Sequence, residues 1–436
     1  MIPEIARALD ARLRMAKFAR KALDHVFPDH WSFMLGEIAL YSFILLIVTG
    51  AYLATFFNAS SAKVIYHGSY KPMDGVQMTA AYQSALHISF DVRAGLLVRQ
   101  IHHWGTLIFI AAIAAHLMRI FFTGAYRKPR EINWVIGLTL LLLAILNGYC
   151  GYSLVGDELS GEGLRIGYAI ALSIPVIGPW FTFIFFGGQY PASETISHLY
   201  MLHIFVVPAT IAVLIAAHLG ILWRQLHTNY PGPGRTETQI VGSRLWPTYA
   251  AKSIGLLLLV FSCITALAGL VQINPIWLYG PYSTAASQPS AQPDWYLGWI
   301  EGAMRLFPGA NLRIGHGLIP ELFFSGALLP AIVFGTLYAY PFIERYFFTD
   351  DESDHNVLRL PYEHPFNTAF GCAAFTFLLV LFFAAGDDII AVATNGSVVT
   401  IRTFLRIVLF AAPAAIGAIA FILCSIIRRR RYGQNA

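Results

Sequence analysis

Apolar positions in this chain do not alternate with polar ones at a strand or surface-helix period. They run together in long blocks. Eight blocks stand out, at roughly 33–57, 100–122, 134–155, 199–223, 248–272, 318–342, 366–386 and 404–427. About 20 apolar residues at a rise of 1.5 Å cross the hydrocarbon layer of a bilayer, so each block predicts a membrane-spanning helix. The fold class is therefore an all-α membrane protein with eight transmembrane helices. The first four spans fall in 33–225 and predict an N-terminal four-helix bundle. A linker at 226–247 precedes a C-terminal four-helix part at 248–427. Residues 1–32 are basic and amphipathic and predict a segment lying on the membrane surface, and 428–436 form a basic tail.

The loops orient the spans. With the N-terminus taken as cytoplasmic, 20 of the 29 Lys and Arg residues fall in cytoplasmic segments and 9 in outer ones. This bias predicts a multi-pass membrane protein with both termini in the cytoplasm and an even number of spans. Three outer loops are long, at 58–98, 156–198 and 273–317, which predicts a site on that face.

Composition narrows the class further. Hydrophobic residues make up 57% of the chain and charged ones 12%, far from a soluble domain. The net charge of +5 comes from membrane-flanking residues, so no nucleic-acid partner is expected. Cys150, Cys263, Cys372 and Cys424 form no CxxC or CxxCH motif. No zinc site, c-type haem or disulfide framework is expected, and the four read as buried thiols.

The candidate chemistry is histidine. The second span carries His102 and His116, 14 residues apart, and the fourth carries His203 and His218, 15 apart. A step of 14 or 15 rises about 21 Å and returns to nearly the same helix face. Both spans enter from outside, so His102 and His203 are outer while His116 and His218 are inner. Paired imidazoles at two depths are what two bis-histidine haems require, and four ionisable groups at matched depths are costly as mere packing. His103 competes with His102, but only His102 keeps the 14-residue step. Gly36 and Gly50 in the first span, and Gly137 and Gly151 in the third, repeat that step. They predict clearance for something bulky at each depth. Arg99 and Arg119 lie one turn from the second-span histidines, where each can pair with a propionate.

These residues resemble the cytochrome b subunit of the quinol:cytochrome c oxidoreductase (cytochrome bc) complex. The resemblance rests on RQIHHWG, HLMRIFFTGAY, NWVIG, GYCGYSL, HIFVVPATIAVLIAAH and PDWY, and covers nearly the whole chain. GYSLVGDELSGEGLRI, HTNYPGPG and PDWYLGW look like the actinobacterial, menaquinol-using subgroup. The resemblance implies a quinol–cytochrome-c reductase with two b haems. The low-potential haem would lie on His102 and His203, the high-potential one on His116 and His218. It implies quinol oxidation near Asp294, Tyr296 and Tyr152, with Asp294 as a general base. It also implies a quinone-reducing site at the inner face, with Arg224, His227 and Lys252 as polar contacts. The partners implied are a Rieske iron–sulfur subunit, a di-haem c-type cytochrome, a second copy of the complex and a terminal oxidase.

Some positions depart from the family pattern. Glu301 stands where relatives often have Tyr, and Ser253 where many have Asp, which leaves His227 as the expected proton donor of the inner site. Asp294 could instead cap the helix after it. Two other classes bear on the histidines. A di-haem membrane anchor predicts four or five spans, and a transporter predicts internal repeats. Eight spans and the absence of a visible repeat count against both.

Overall fold

A computed structural model describes residues 10–12, 14–285, 292–315, 317–349 and 352–433. Among these, eight helices are long and apolar enough to cross a membrane: Trp31–Ala54, Gly95–Phe122, Glu131–Ser153, Thr195–Gln225, Leu245–Leu270, Phe323–Phe347, Pro365–Ala384 and Val398–Tyr432. Each matches one apolar block. The sixth starts later than its block because Leu312–Ile314 and Gly317–Ile319 pair as a short hairpin just before it. Part of the 1–32 segment is described, including a helix at Met15–Leu23, while residues 1–9 and 434–436 lie outside the described residues.

The spans expose large apolar side chains along their outer walls, for example Val213, Leu258 and Phe410. A bundle solvated by lipid has no reason to bury them. Cys263 is also exposed there, unlike Cys150 and Cys424, so it is not the buried thiol expected. The bundle interior is filled midway along the first four spans by Phe43, Phe109, Leu141, Ala144 and Ile211. This layer sits halfway between the positions of the second-span histidines and separates the two histidine levels.

The loops gather on two faces, as an even number of spans requires. On one face, Val26–Pro28 pairs antiparallel with Gly242–Arg244, and Arg130 donates to the His355 carbonyl at 2.7 Å. On the other, the Tyr82 hydroxyl donates to the Ile276 carbonyl at 3.0 Å, and Gln100 exchanges hydrogen bonds with Ile273. The segments with the excess of basic residues share the first face. The long loops share the second, where the helices Ala80–Phe90, Glu158–Ser173, Gly178–Phe186 and Trp295–Leu306 cover the bundle.

The fourth span is not uniformly α-helical. Leu202–Val206 forms a π turn, with His203 in it, before the α-helix resumes at Val207. A π turn inserts one residue without rotating the rest of the helix. Pro208 has no N–H to give the preceding turn, which favours the wider geometry there. The 15-residue step between His203 and His218 thereby becomes equivalent to the 14-residue step in the second span.

Candidate functional site

The outer histidines meet inside the bundle. The His102 and His203 rings lie with centroids 6.0 Å apart and planes at 79°. Both line a cavity of about 390 Å³ that also touches Arg99, Tyr152 and Asp294. Their hydrogen bonds fix their protonation. His203 Nδ1 lies 2.9 Å from the Asn147 carbonyl, which can only accept, so Nδ1 carries the proton. His102 Nδ1 lies 2.9 Å from Thr49 Oγ1. That hydroxyl already donates to the Leu45 carbonyl at 2.8 Å, so it too accepts from the ring. Each imidazole keeps an Nε2 lone pair, the arrangement that metal-ligating histidines show. Metal–imidazole bonds are about 2.0 Å long, so rings at this separation can ligate one ion between them.

The glycines belong to the same construction. A Cβ on Gly50 would lie 3.2 Å from His102 Cε1, and one on Gly151 only 2.3 Å from His203 Cε1. At the second level a Cβ on Gly36 would lie 3.3 Å from His116 Cε1, and one on Gly137 would lie 3.6 Å from His218 Cε1. Each of the four glycines therefore faces one of the four histidines. What they clear is the imidazole ring, a more specific role than general clearance for a bulky group. His116 Nδ1 is buried with no hydrogen-bond partner, so this level leaves polar demand unmet.

The two arginines also carry unmet demand. Arg99 reaches the Asn274 carbonyl only at 3.3 and 3.4 Å, and its Nε is buried without a partner. Arg119 stacks on Phe33, with 4.2 Å from its guanidinium carbon to the ring centroid, and its Nε is likewise unpartnered. Among the described residues neither makes a salt bridge. At the outer level, facing imidazoles, a cavity beside them and a cation without a salt bridge fit a haem with its propionates, and at the inner level His116 and His218, each faced by a glycine, with Arg119 near by, carry the same residue types.

Asp294 occupies the N-cap position of Trp295–Leu306, yet its side chain makes no cap hydrogen bond. Its carboxylate instead lies 3.0 and 3.2 Å from His103 Nε2 and accepts from the Tyr296 hydroxyl at 3.2 Å. In the sequence His103 stands only as a rival of His102. One residue further along the helix, it turns to a different partner. Tyr152 donates to the Leu159 carbonyl at 3.1 Å and lines the same cavity. Tyr296 fits because Gly148 leaves space for its hydroxyl. Glu301 does not face this cluster. It pairs with Arg305 at 2.6 Å, and Arg305 reaches Asp387 at 2.7 Å and Asp388 at 3.0 Å. This network pins the helix that carries Asp294, and nothing in the local sequence pointed to it.

Among the described residues, Arg224, His227 and Lys252 make no hydrogen bond or ion pair with one another. His227 lies against Phe27 (4.4 Å between centroids) and beside His25. Lys252 pairs with Asp29 at 2.5 Å. Arg224 is exposed at the end of the fourth span. Ser253, the position without the expected carboxylate, donates to Glu37 at 2.6 Å.

Fold and site together define a polytopic helical membrane protein whose first four spans hold paired histidines at two depths. A model of the N-terminal cytochrome b/b6/petB family matches residues 107–281. The chain is 47% identical over 425 residues to the cytochrome bc1 complex cytochrome b subunit of Mycobacterium tuberculosis, covering 97% of this chain and 77% of that one. It is 44% identical to the subunits of that name from Corynebacterium efficiens (98% and 78% covered) and Streptomyces coelicolor (98% and 78% covered). A solved structure titled "Hyperthermophilic respiratory Complex III" shares the fold with TM-score 0.68 at 18% identity, covering 95% of this chain and 98% of that one. The chain belongs to the cytochrome b family, and the relatives it matches at this level are actinobacterial.

Proposed function

We propose that this chain is the catalytic subunit of a quinol–cytochrome-c reductase and oxidises menaquinol at the outer face. The observation that carries this reading is the shared cavity: the carboxylate of Asp294 and the outer histidine pair line one space. A quinol hydroxyl that reaches the Asp294 edge of this space, beside the haem between the histidines, meets an acceptor whose position is set by His103 and Tyr296. Asp294 takes the proton in general-base fashion, and Tyr152 lines the same space. Arg305, held by Asp387 and Asp388, keeps the helix of Asp294 from moving during turnover.

Haem ligated by His102 with His203 and by His116 with His218 would supply one-electron transfer across the membrane. The chain's own part is to hold those imidazoles in one tautomer, set their depth and exclude water from between the levels. Of the two electrons of each quinol, one leaves to a Rieske iron–sulfur partner on the outer face and onward to a c-type, di-haem cytochrome subunit, and the second crosses the membrane. A quinone at the inner face takes up the electrons that cross, with protons from the cytoplasm, so the cycle moves protons outward. A dimeric complex joined to a terminal oxidase fits this role.

Reduced-minus-oxidised optical spectra of the purified complex test the reading. Two b-type haems per copy of this chain are expected. Absence of b-type bands, or a single haem, would sink it.

A further inference from the structure

The inner face holds a carboxylate to which the sequence pattern assigns no role. Glu37 stands in the first turn of its helix, next to Gly36, the glycine that faces His116. One oxygen accepts from Tyr41 at 3.0 Å and from Ser253 at 2.6 Å. The other accepts from the Tyr249 hydroxyl, and the Tyr41 and Ser253 oxygens lie in contact with each other. Three hydroxyls from two spans thus converge on one part-buried carboxylate at the inner histidine level. Beside Ser253 in the chain, Lys252 pairs with Asp29, and both are about half exposed, with side chains 47% and 42% accessible. Phe27 stacks on Tyr249 at 4.2 Å and also touches His227. The titratable groups around Glu37 are therefore Tyr41 on its own span, Tyr249 and Lys252 on the fifth, and Asp29 on the N-terminal segment.

We propose that Glu37 is the proton-donating carboxylate of the inner quinone site, positioned by Tyr41, Tyr249 and Ser253. The proposal rests on the proposed function, in which a quinone is reduced at the inner face. A quinone carbonyl becomes a hydroxyl by gaining one electron and one proton. In the proposed step the O–H bond of protonated Glu37 breaks, and its proton bonds to one quinone oxygen as an electron from outer-face quinol oxidation reaches that quinone. The carboxylate left behind is stabilised by its three hydroxyl donors and regains a proton from water through the half-exposed Asp29–Lys252 end. Ser253 then acts as a donor to the carboxylate instead of carrying one. His227 is the weaker choice: burial, with the charges of His25, Arg130 and Arg119 nearby, holds its pKa down to about 4, so it is neutral at physiological pH.

The test uses the whole complex carrying Glu37→Gln, Glu37→Asp or Tyr249→Phe. Re-oxidation of the inner b-type haem by a menaquinone analogue is followed across pH, alongside redox-difference infrared spectra. With both haems retained, Glu37→Gln should slow re-oxidation about 100-fold, the range of general acid catalysis, and remove a carboxyl C=O band. Glu37→Asp should recover part of the rate. A wild-type rate and pH profile in Glu37→Gln would overturn the assignment. If Glu37→Gln loses haem, Tyr249→Phe decides, since it keeps the carboxylate: an altered pH profile supports the proposal, and an unchanged one overturns it. Failure of the wider reading looks different, because the wild-type complex would then lack an inner haem altogether.

Discussion

The outer and inner halves of the bundle are built on one plan but finished differently. In both, a glycine on a neighbouring span clears each imidazole. At the outer level both rings are locked through Nδ1, by Thr49 and Asn147, and they open onto a cavity that reaches Asp294. At the inner level His116 has no such lock, and the hydroxyl-ringed Glu37 stands next to Gly36, the glycine that faces it. Identical sequence spacing thus yields two levels with different surroundings. The difference lies in what the loops and later spans bring: PDWY to one side, the start of the fifth span to the other.

The largest effects should come from removing a histidine. His102→Ala or His203→Ala should abolish one b-type haem band while the other survives, and His116→Ala or His218→Ala should do the reverse. His103→Ala should keep both bands, because its ring serves Asp294. Loss of both bands from any single outer variant would show that the two levels are not independent.

Next in size is the carboxylate. Asp294→Asn preserves shape but removes the base, so quinol oxidation should fall by about 10²- to 10³-fold with both haem spectra intact. Steady-state turnover with a menaquinol analogue measures this. If Asp294 were only a helix cap, the loss would appear as about 1 kcal/mol of stability with activity kept.

The glycines give a graded comparison between levels. Gly151→Ala drives a methyl to 2.3 Å from His203, so the ring or helix must shift, at a cost of about 1–3 kcal/mol and with a displaced outer haem potential. Gly137→Ala meets His218 at 3.6 Å, an ordinary contact, and gains up to about 1 kcal/mol of helix propensity. Thermal melts and redox titrations of the two variants should therefore move in opposite directions. Similar destabilisation by both would show that the outer level is not the more tightly fitted one.

Much of this was legible in the chain. Eight apolar blocks became eight helices, because length and apolarity alone decide which segments can satisfy their backbone in lipid. The histidine levels followed from spacing, and the odd 15-residue step became the π turn at His203. Partners distant in sequence were not legible. His103 to Asp294, Glu37 to Ser253 and Arg305 to Asp387 each join residues from separate elements, and no local pattern records such a pairing. The inner face was the least legible, since the partners of His227 and Lys252 are Phe27 and Asp29, on a segment far earlier in the chain.

The effect confined to the narrowest window of conditions concerns a buried acid on the outer face. Asp157 is fully buried at the start of Glu158–Ser173, where its side chain caps the helix through Ser160 N at 3.3 Å. Burial raises its pKa from 3.8 to about 6, against the opposing pull of Ser160 and Arg99. The unfolded chain releases this proton near pH 4, whereas the folded chain holds it until about pH 6. Between those values the folded state binds more protons, so its stability falls as pH rises and stays lower above pH 6. The span of the shift corresponds to on the order of 3 kcal/mol. Asp157→Asn keeps the cap but cannot ionise, so its thermal stability should lose that slope between pH 4 and 6. An unchanged slope would mean that another group sets it and that Asp157 titrates alike in the folded and unfolded chain.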